Sequence, residues 1–240
     1  MNLPDGFFDA LRQHGYLLQS EGFYLQWVDS ARQRWLMDLS SRRADAIVAH
    51  HQMAVLMQHR VRHFEPRLNE GQLAAVLPEL DREWPNIAVA LDWIIESDEP
   101  QLGLSMIMPM ARYCLLRGRT QEGANYIDAV LALSSLTTTY EFVQVMLLSG
   151  ELQEAQSHFD DALDRYQTAF TLATLPNAQQ PELTALALLG LSRIHRRQNL
   201  REHALCYAQK AIELAQSAHN ETILTHARRE LRQIFGDGQD

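Results

Sequence analysis

The chain has almost no lysine. Twenty of its 21 cationic side chains are arginine, and Lys210 is the exception. Any anion it contacts therefore meets planar guanidinium groups rather than ammonium. Clustered cations are also missing: 30 acidic residues against 21 basic ones leave a net charge of −9. That argues against a free-standing nucleic-acid binder, whose phosphate contacts need such clusters. Cysteine is nearly absent as well, with Cys114 and Cys206 alone, as in a reducing compartment. Each falls on a helical pattern and reads as a small buried hydrophobe. No apolar run reaches the roughly 18 residues that a membrane span needs. The N-terminus, MNLPDGFFDALRQ, lacks the basic and apolar regions of a secretion signal. The expected location is the cytoplasm, with no membrane partner.

Catalytic signatures are missing too. There is no G-x-x-x-x-G-K-[ST] phosphate loop. His59 and His63 stand four apart on one helical face and could hold zinc if a third ligand converged. They lack the H-E-x-x-H glutamate and any cysteine, so a solvated helix face is the simpler reading. Asp160, Asp161 and Asp164 open a helix, where the backbone dipole favours negative charge. Ser134, Ser135 and Thr137–Thr139 read as loop and cap residues, with no histidine–carboxylate partner. The expectation is a non-enzyme without cofactor or metal.

What is present is a repeat. Ala111, Gly118, Gly123, Ile127 and Val130 are spaced by 7, 5, 4 and 3 residues. Gly150, Ser157, Ala162, Tyr166 and Ala169 repeat those spacings, as do Ser192, Asn199, Ala204, Ala208 and Ala211. The units follow at 39 and then 42 residues. A fixed period of this size signals stacked helix pairs, none able to bury its apolar face alone.

Periodicity predicts helices near 100–116, 120–133, 138–155, 158–174, 181–198 and 201–217, then an amphipathic capping helix at 221–235. Pro109 should kink the first of these. Upstream, 43–64 reads as a long helix with Pro66 just past its end. Residues 69–82 and 86–97 read as two more, Pro85 starting the second and Asn86 capping it. Residues 5–14 suggest a short helix. YLLQ and FYLQW flank a turn at Ser20–Gly22, the one convincing strand signal.

Two resemblances follow from these residues. Gly150, Ala162, Tyr166 and Ala169 resemble the small–small–aromatic–alanine pattern of the tetratricopeptide (TPR) repeat. Glu83-Trp-Pro-Asn86-Ile87-Ala-Val-Ala90-Leu91-Asp-Trp93 is similar to the E-x-x-N-L-x-x-A-L-x-W helix of STAND signal-transduction ATPases, the LuxR-like bacterial transcriptional regulators among them. Arg117-Gly118-Arg-Thr-Gln-Glu122-Gly123 matches the R-G-x-x-x-E-G turn that follows it there.

The resemblance implies an all-α fold with a TPR-like antiparallel helix-pair solenoid over 99–235. Before it would come a winged-helix-like remnant with one β-hairpin at 1–40 and a helical arm at 41–98. Residues 236–240 would form a disordered tail. It implies a non-catalytic sensor or interaction domain of such a regulator, and a free-standing TPR adaptor is the alternative. The lysine–asparagine clamp of some TPR adaptors is absent. The partner, a protein segment or small effector, would sit in a groove lined by the first helix of each unit. That gives Met108, Arg112 and Leu115, then Gln144, Leu147 and Glu151, then Leu189, Arg193 and Arg196. Arginine among apolar side chains is the composition of a binding hot spot; ordinary solvated arginines are the competing reading.

Overall fold

The structure, a computed structural model, describes residues 17–19, 25–27, 43–69, 72–133, 140–176, 178 and 180–236, and nine helices make up nearly all of these described residues. The helix expected at 5–14, the turn at 20–22, most of the 1–40 region, the Ser134–Thr139 segment and the tail 237–240 lie outside the described residues. The chain divides into two compact units, Met1–Met53 and Ala54–Asp240. Residues 54–98 therefore belong to the same unit as the repeats.

In the first unit, β1 (Leu17–Gln19) pairs antiparallel with β2 (Leu25–Trp27), and Leu18 lies opposite Gln26. The helix α1 (Arg43–Asn69) starts in this unit and ends in the second. It runs through Pro66 instead of stopping before it.

The second unit holds α2 (Leu73–Glu96), α3 (Pro100–Arg117), α4 (Thr120–Leu131), α5 (Tyr140–Ala155), α6 (Phe159–Ala173), α7 (Pro181–Arg197), α8 (Arg201–Ser217) and α9 (Glu221–Gly236). The two helices expected at 69–82 and 86–97 are one. Pro78 and Pro85 both lie inside α2, and Asn86 is mid-helix rather than a cap. An interior proline costs about 3 kcal/mol. Val76, Leu80, Trp84, Ile87, Leu91 and Ile94 form one buried stripe. Each such side chain returns roughly 1.5–3 kcal/mol on burial, which holds the helix continuous across both prolines.

From α3 onward the sequence repeat becomes a backbone repeat. The second repeat position, Gly118, Ser157 and Asn199, has φ of 69°, 64° and 60°. Asp98 and His219 adopt the same left-handed conformation. Just after each, an amide reaches back five residues: Arg119 to Cys114, His158 to Gln153, Leu200 to His195, Asn220 to Ala215 and Glu99 to Ile94, at 2.8–3.1 Å. This is one C-cap used five times. Each turn leaves room for only two or three residues, so the following helix folds back antiparallel.

The odd-numbered helices touch in succession, α3 on α5, α5 on α7 and α7 on α9, while α4, α6 and α8 each pack against the odd helix before and the odd helix after them. The odd helices are thus the crowded, inner rank. The third and fifth repeat positions, Gly123, Ala162, Ala204 and Val130, Ala169, Ala211, are all buried where outer helices meet inner ones. In the last pair the inner Ser192 hydroxyl donates to the Ala204 carbonyl at 2.9 Å.

Candidate functional site

The fourth repeat position shows what a joint between pairs needs. Tyr166 on α6 is fully buried, with its ring wedged between the backbones of α5 and α7. A β-carbon added at Gly150 would lie 2.6 Å from the ring, and one at Gly190 2.5 Å. Only glycine allows this approach. The ring carries its hydroxyl through to the inner rank. There it donates to Glu154 Oε2 at 3.1 Å and accepts from Arg193 Nη2 at 2.9 Å. Arg193 Nε closes the triangle on Glu154 Oε2 at 2.9 Å. Burial, with Glu154 and Glu151 nearby, holds the phenol well above its ordinary range despite Arg193. Burial works against the Arg193 charge, but Tyr166, Glu154 and Glu151 more than offset it.

Two of the three arginines expected to line a groove are therefore struts between helices. Arg193 is tied to Glu154 and Tyr166. Arg196 Nε pairs with the buried Glu230 of α9 at 2.9 Å. Leu147 and Leu189 belong to the hydrophobic core and do not line a surface. Both sit on inner helices that are flanked on two sides, which covers that position. Met108, the equivalent residue on α3, is half-buried, as are Leu115 and Gln144.

Arg112, Glu151 and Arg193 occupy one repeat position on α3, α5 and α7, 39 and 42 residues apart. Arg112 is exposed and Glu151 half-buried. Desolvation raises the Glu151 carboxyl above its ordinary range, against the pull of Arg193 and Arg112; Glu154 adds to the rise and His226 on α9 opposes it. Glu154 was missed as a site residue. It stands 39 residues after Leu115 and 42 before Arg196, so the repeat register marks it. Arg197, which reaches Glu154 at 3.4 Å and lies over the Phe159 ring, was missed as well.

A second aromatic joint fastens α2 to the first repeat pair. Glu83 is buried and pairs with Arg60 of α1 at 2.6 Å. The indole N–H of Trp84 donates to Glu122 at 3.1 Å. Tyr113 and Tyr126 pack on the indole, and the Arg119 guanidinium lies over it at 5.5 Å. Asp81 accepts from Tyr113 at 2.7 Å and pairs with Arg117. Tyr126 donates to Asp92 at 3.0 Å. Burial and these carboxylate bonds push both phenols up. The E-x-x-N helix and the R-G-x-x-x-E-G turn, separate in sequence, thus meet side chain to side chain.

The remaining candidates carry less. Cys114 is buried and its thiol is pushed up to about 12, mainly by desolvation. Cys206 is exposed, contrary to expectation. His59 and His63 are exposed on α1. Among the described residues no three His, Cys, Asp or Glu side chains are placed to hold a metal ion, and no helix is long and apolar enough to cross a membrane. A shallow cleft of about 330 Å³ runs between α4, α5 and α6. It is lined by Asp128, Asp161, Asp164 and Arg165 among others, and Arg165 is already paired with Asp128 at 2.7 Å.

No known family model matches the chain, and no curated protein does. Among solved structures it is similar to the crystal structure of BtubC (BKLC) from P. vanneervenii. The two are 13% identical, with a TM-score of 0.57 over 79% of this chain and 82% of that one. At that identity the likeness is one of fold.

Proposed function

We propose that the chain is a non-catalytic interaction domain, the sensor region of a STAND-type bacterial transcriptional regulator with TPR-like repeats. In this reading it is cytoplasmic, makes no direct nucleic-acid contact, and takes up a protein segment or small effector on the inner rank α3, α5, α7 and α9. The observation that carries the reading is the contact between its two family-like motifs. Trp84 of the first holds Glu122 of the second and lies beneath Arg119. Such a joint links the arm helix to the repeat that follows. An effector that shifts the repeats would then be felt at α2, because packed interfaces change by discrete repacking.

The reading is tested by the reading frame upstream of Met1. An in-frame nucleotide-binding region with a phosphate loop supports it. A frame that holds no such region sinks it in favour of a free-standing TPR-like adaptor. The coupling is tested with the joined protein, where Trp84→Ala should cut effector-stimulated nucleotide hydrolysis by roughly tenfold. That figure corresponds to the 1–3 kcal/mol typical of an allosteric coupling.

A further inference from the structure

Two charged side chains of the inner rank, Arg112 on α3 and Glu151 on α5, stand beside the network without joining it. Arg193, Arg196 and Arg197 are engaged by Glu154 and Glu230. Arg112 and Glu151 are at equivalent positions on neighbouring helices. Yet neither makes a hydrogen bond or an ion pair with any described residue, although Arg112 is near enough to bias the Glu151 charge. A half-buried carboxylate without a donor is costly, because its lost hydration is not replaced. An anionic ligand group would satisfy Arg112 and burden Glu151 further. A cationic one would satisfy Glu151 while facing Arg112, Arg193 and His226. A neutral group that both accepts and donates satisfies both.

Geometry narrows that group. Arg112 and Glu151 rise from the same rank of helices, so a ligand meets both from one side. The N–H and C=O of a trans peptide point in opposite directions. A primary carboxamide presents its oxygen and its NH₂ together at one end. We propose that Arg112 and Glu151 form a subsite for the side-chain carboxamide of an asparagine or glutamine in an extended polypeptide partner. Arg112 donates to the carboxamide oxygen, and Glu151 accepts from its nitrogen.

This inference rests on reading the inner rank as the binding surface, and the experiment separates the two. A random-peptide display library is selected against the whole chain, then against Arg112→Leu and Glu151→Leu. The expected result is peptides enriched in asparagine or glutamine at one position. Each variant should weaken them roughly tenfold or more, with Glu151→Gln partly restoring binding. Enrichment of acidic or basic residues instead, with binding still sensitive to the two variants, overturns the carboxamide and leaves the surface standing. Selected peptides that bind both variants as well as wild type overturn the subsite, as does a library that yields no binder. The last result leaves the inner rank standing as a surface for a small effector, so it overturns the peptide subsite alone.

Discussion

The Tyr166 joint and the Trp84 joint solve the same problem in different ways. Each uses one buried aromatic ring to fasten a helix to its neighbours and ends in charged partners. At Tyr166 the neighbours are bare backbone: Gly150 and Gly190 let α5 and α7 close on the ring near its Cδ1 and Cε1 atoms. At Trp84 the neighbours are side chains, with Tyr113, Tyr126 and Arg119 packed around the indole. The first joint tolerates no added volume, since backbone cannot step aside. The second can repack, because each of its walls has rotamers of its own. Where a joint is made of backbone, small residues mark it. Where it is made of side chains, only a longer motif does.

The comparison breaks most severely at the ring itself. Tyr166→Ala empties a slot that two helix backbones line, and should cost about 3–5 kcal/mol in urea unfolding. A loss below about 1 kcal/mol would show that the slot collapses. Gly190→Ala tests the other side of the slot. It should destabilise by about 1–3 kcal/mol through overpacking, and most of that penalty should vanish in the Tyr166→Ala background. Additive losses in that double-mutant cycle would mean that the ring is not what the new methyl meets.

Trp84→Phe keeps a ring in the second joint and removes its N–H. The expected cost is about 1 kcal/mol, with Tyr113 and Tyr126 taking up the space. A cost as large as that of Tyr166→Ala would erase the distinction between the joints.

Two smaller effects sharpen the picture. The raised Glu151 pKa means the folded state holds its proton to higher pH than the unfolded chain does. Stability therefore falls as pH rises from the ordinary carboxylate range through the folded-state value, then levels off. Glu151→Gln removes that slope, so its melting temperature should gain on wild type more at pH 7 than at pH 4. An equal difference at both values would refute the burial cost. Ser157→Gly relieves a side chain at φ of 64° and should stabilise by about 0.5–1 kcal/mol, the same change at Thr168 being neutral to destabilising.

Much of the fold was legible because the repeat is written at positions with little freedom. Gly118, Ser157 and Asn199 share a register since each occupies the left-handed cap residue. The Gly123, Ala162 and Ala204 series shares one since outer helices press against inner ones there. Helix limits from α3 to α9 followed from this register within two residues of expectation. At Pro66 and Pro85 the reading failed: local rules put a helix boundary there, and tertiary burial carried the helix on. The site was less legible. The repeat register marks Arg112 and Glu151, but it counts Arg193 and Arg196 as groove residues, where the structure pairs them with Glu154 and Glu230. A sequence pattern shows which face a side chain occupies and not which acid on another helix will reach it.

By itself, then, the sequence determined the class and count of the repeat helices and their turns. Local backbone geometry and helical periodicity suffice for those. Only the tertiary structure decided that Tyr166 passes between two glycines to join Glu154 and Arg193. It alone decided that Trp84 meets Glu122, and that Arg112 and Glu151 have no hydrogen-bond or ion-pair partner among the described residues. Each of these depends on distances between residues far apart in the chain, which packing sets and periodicity does not encode.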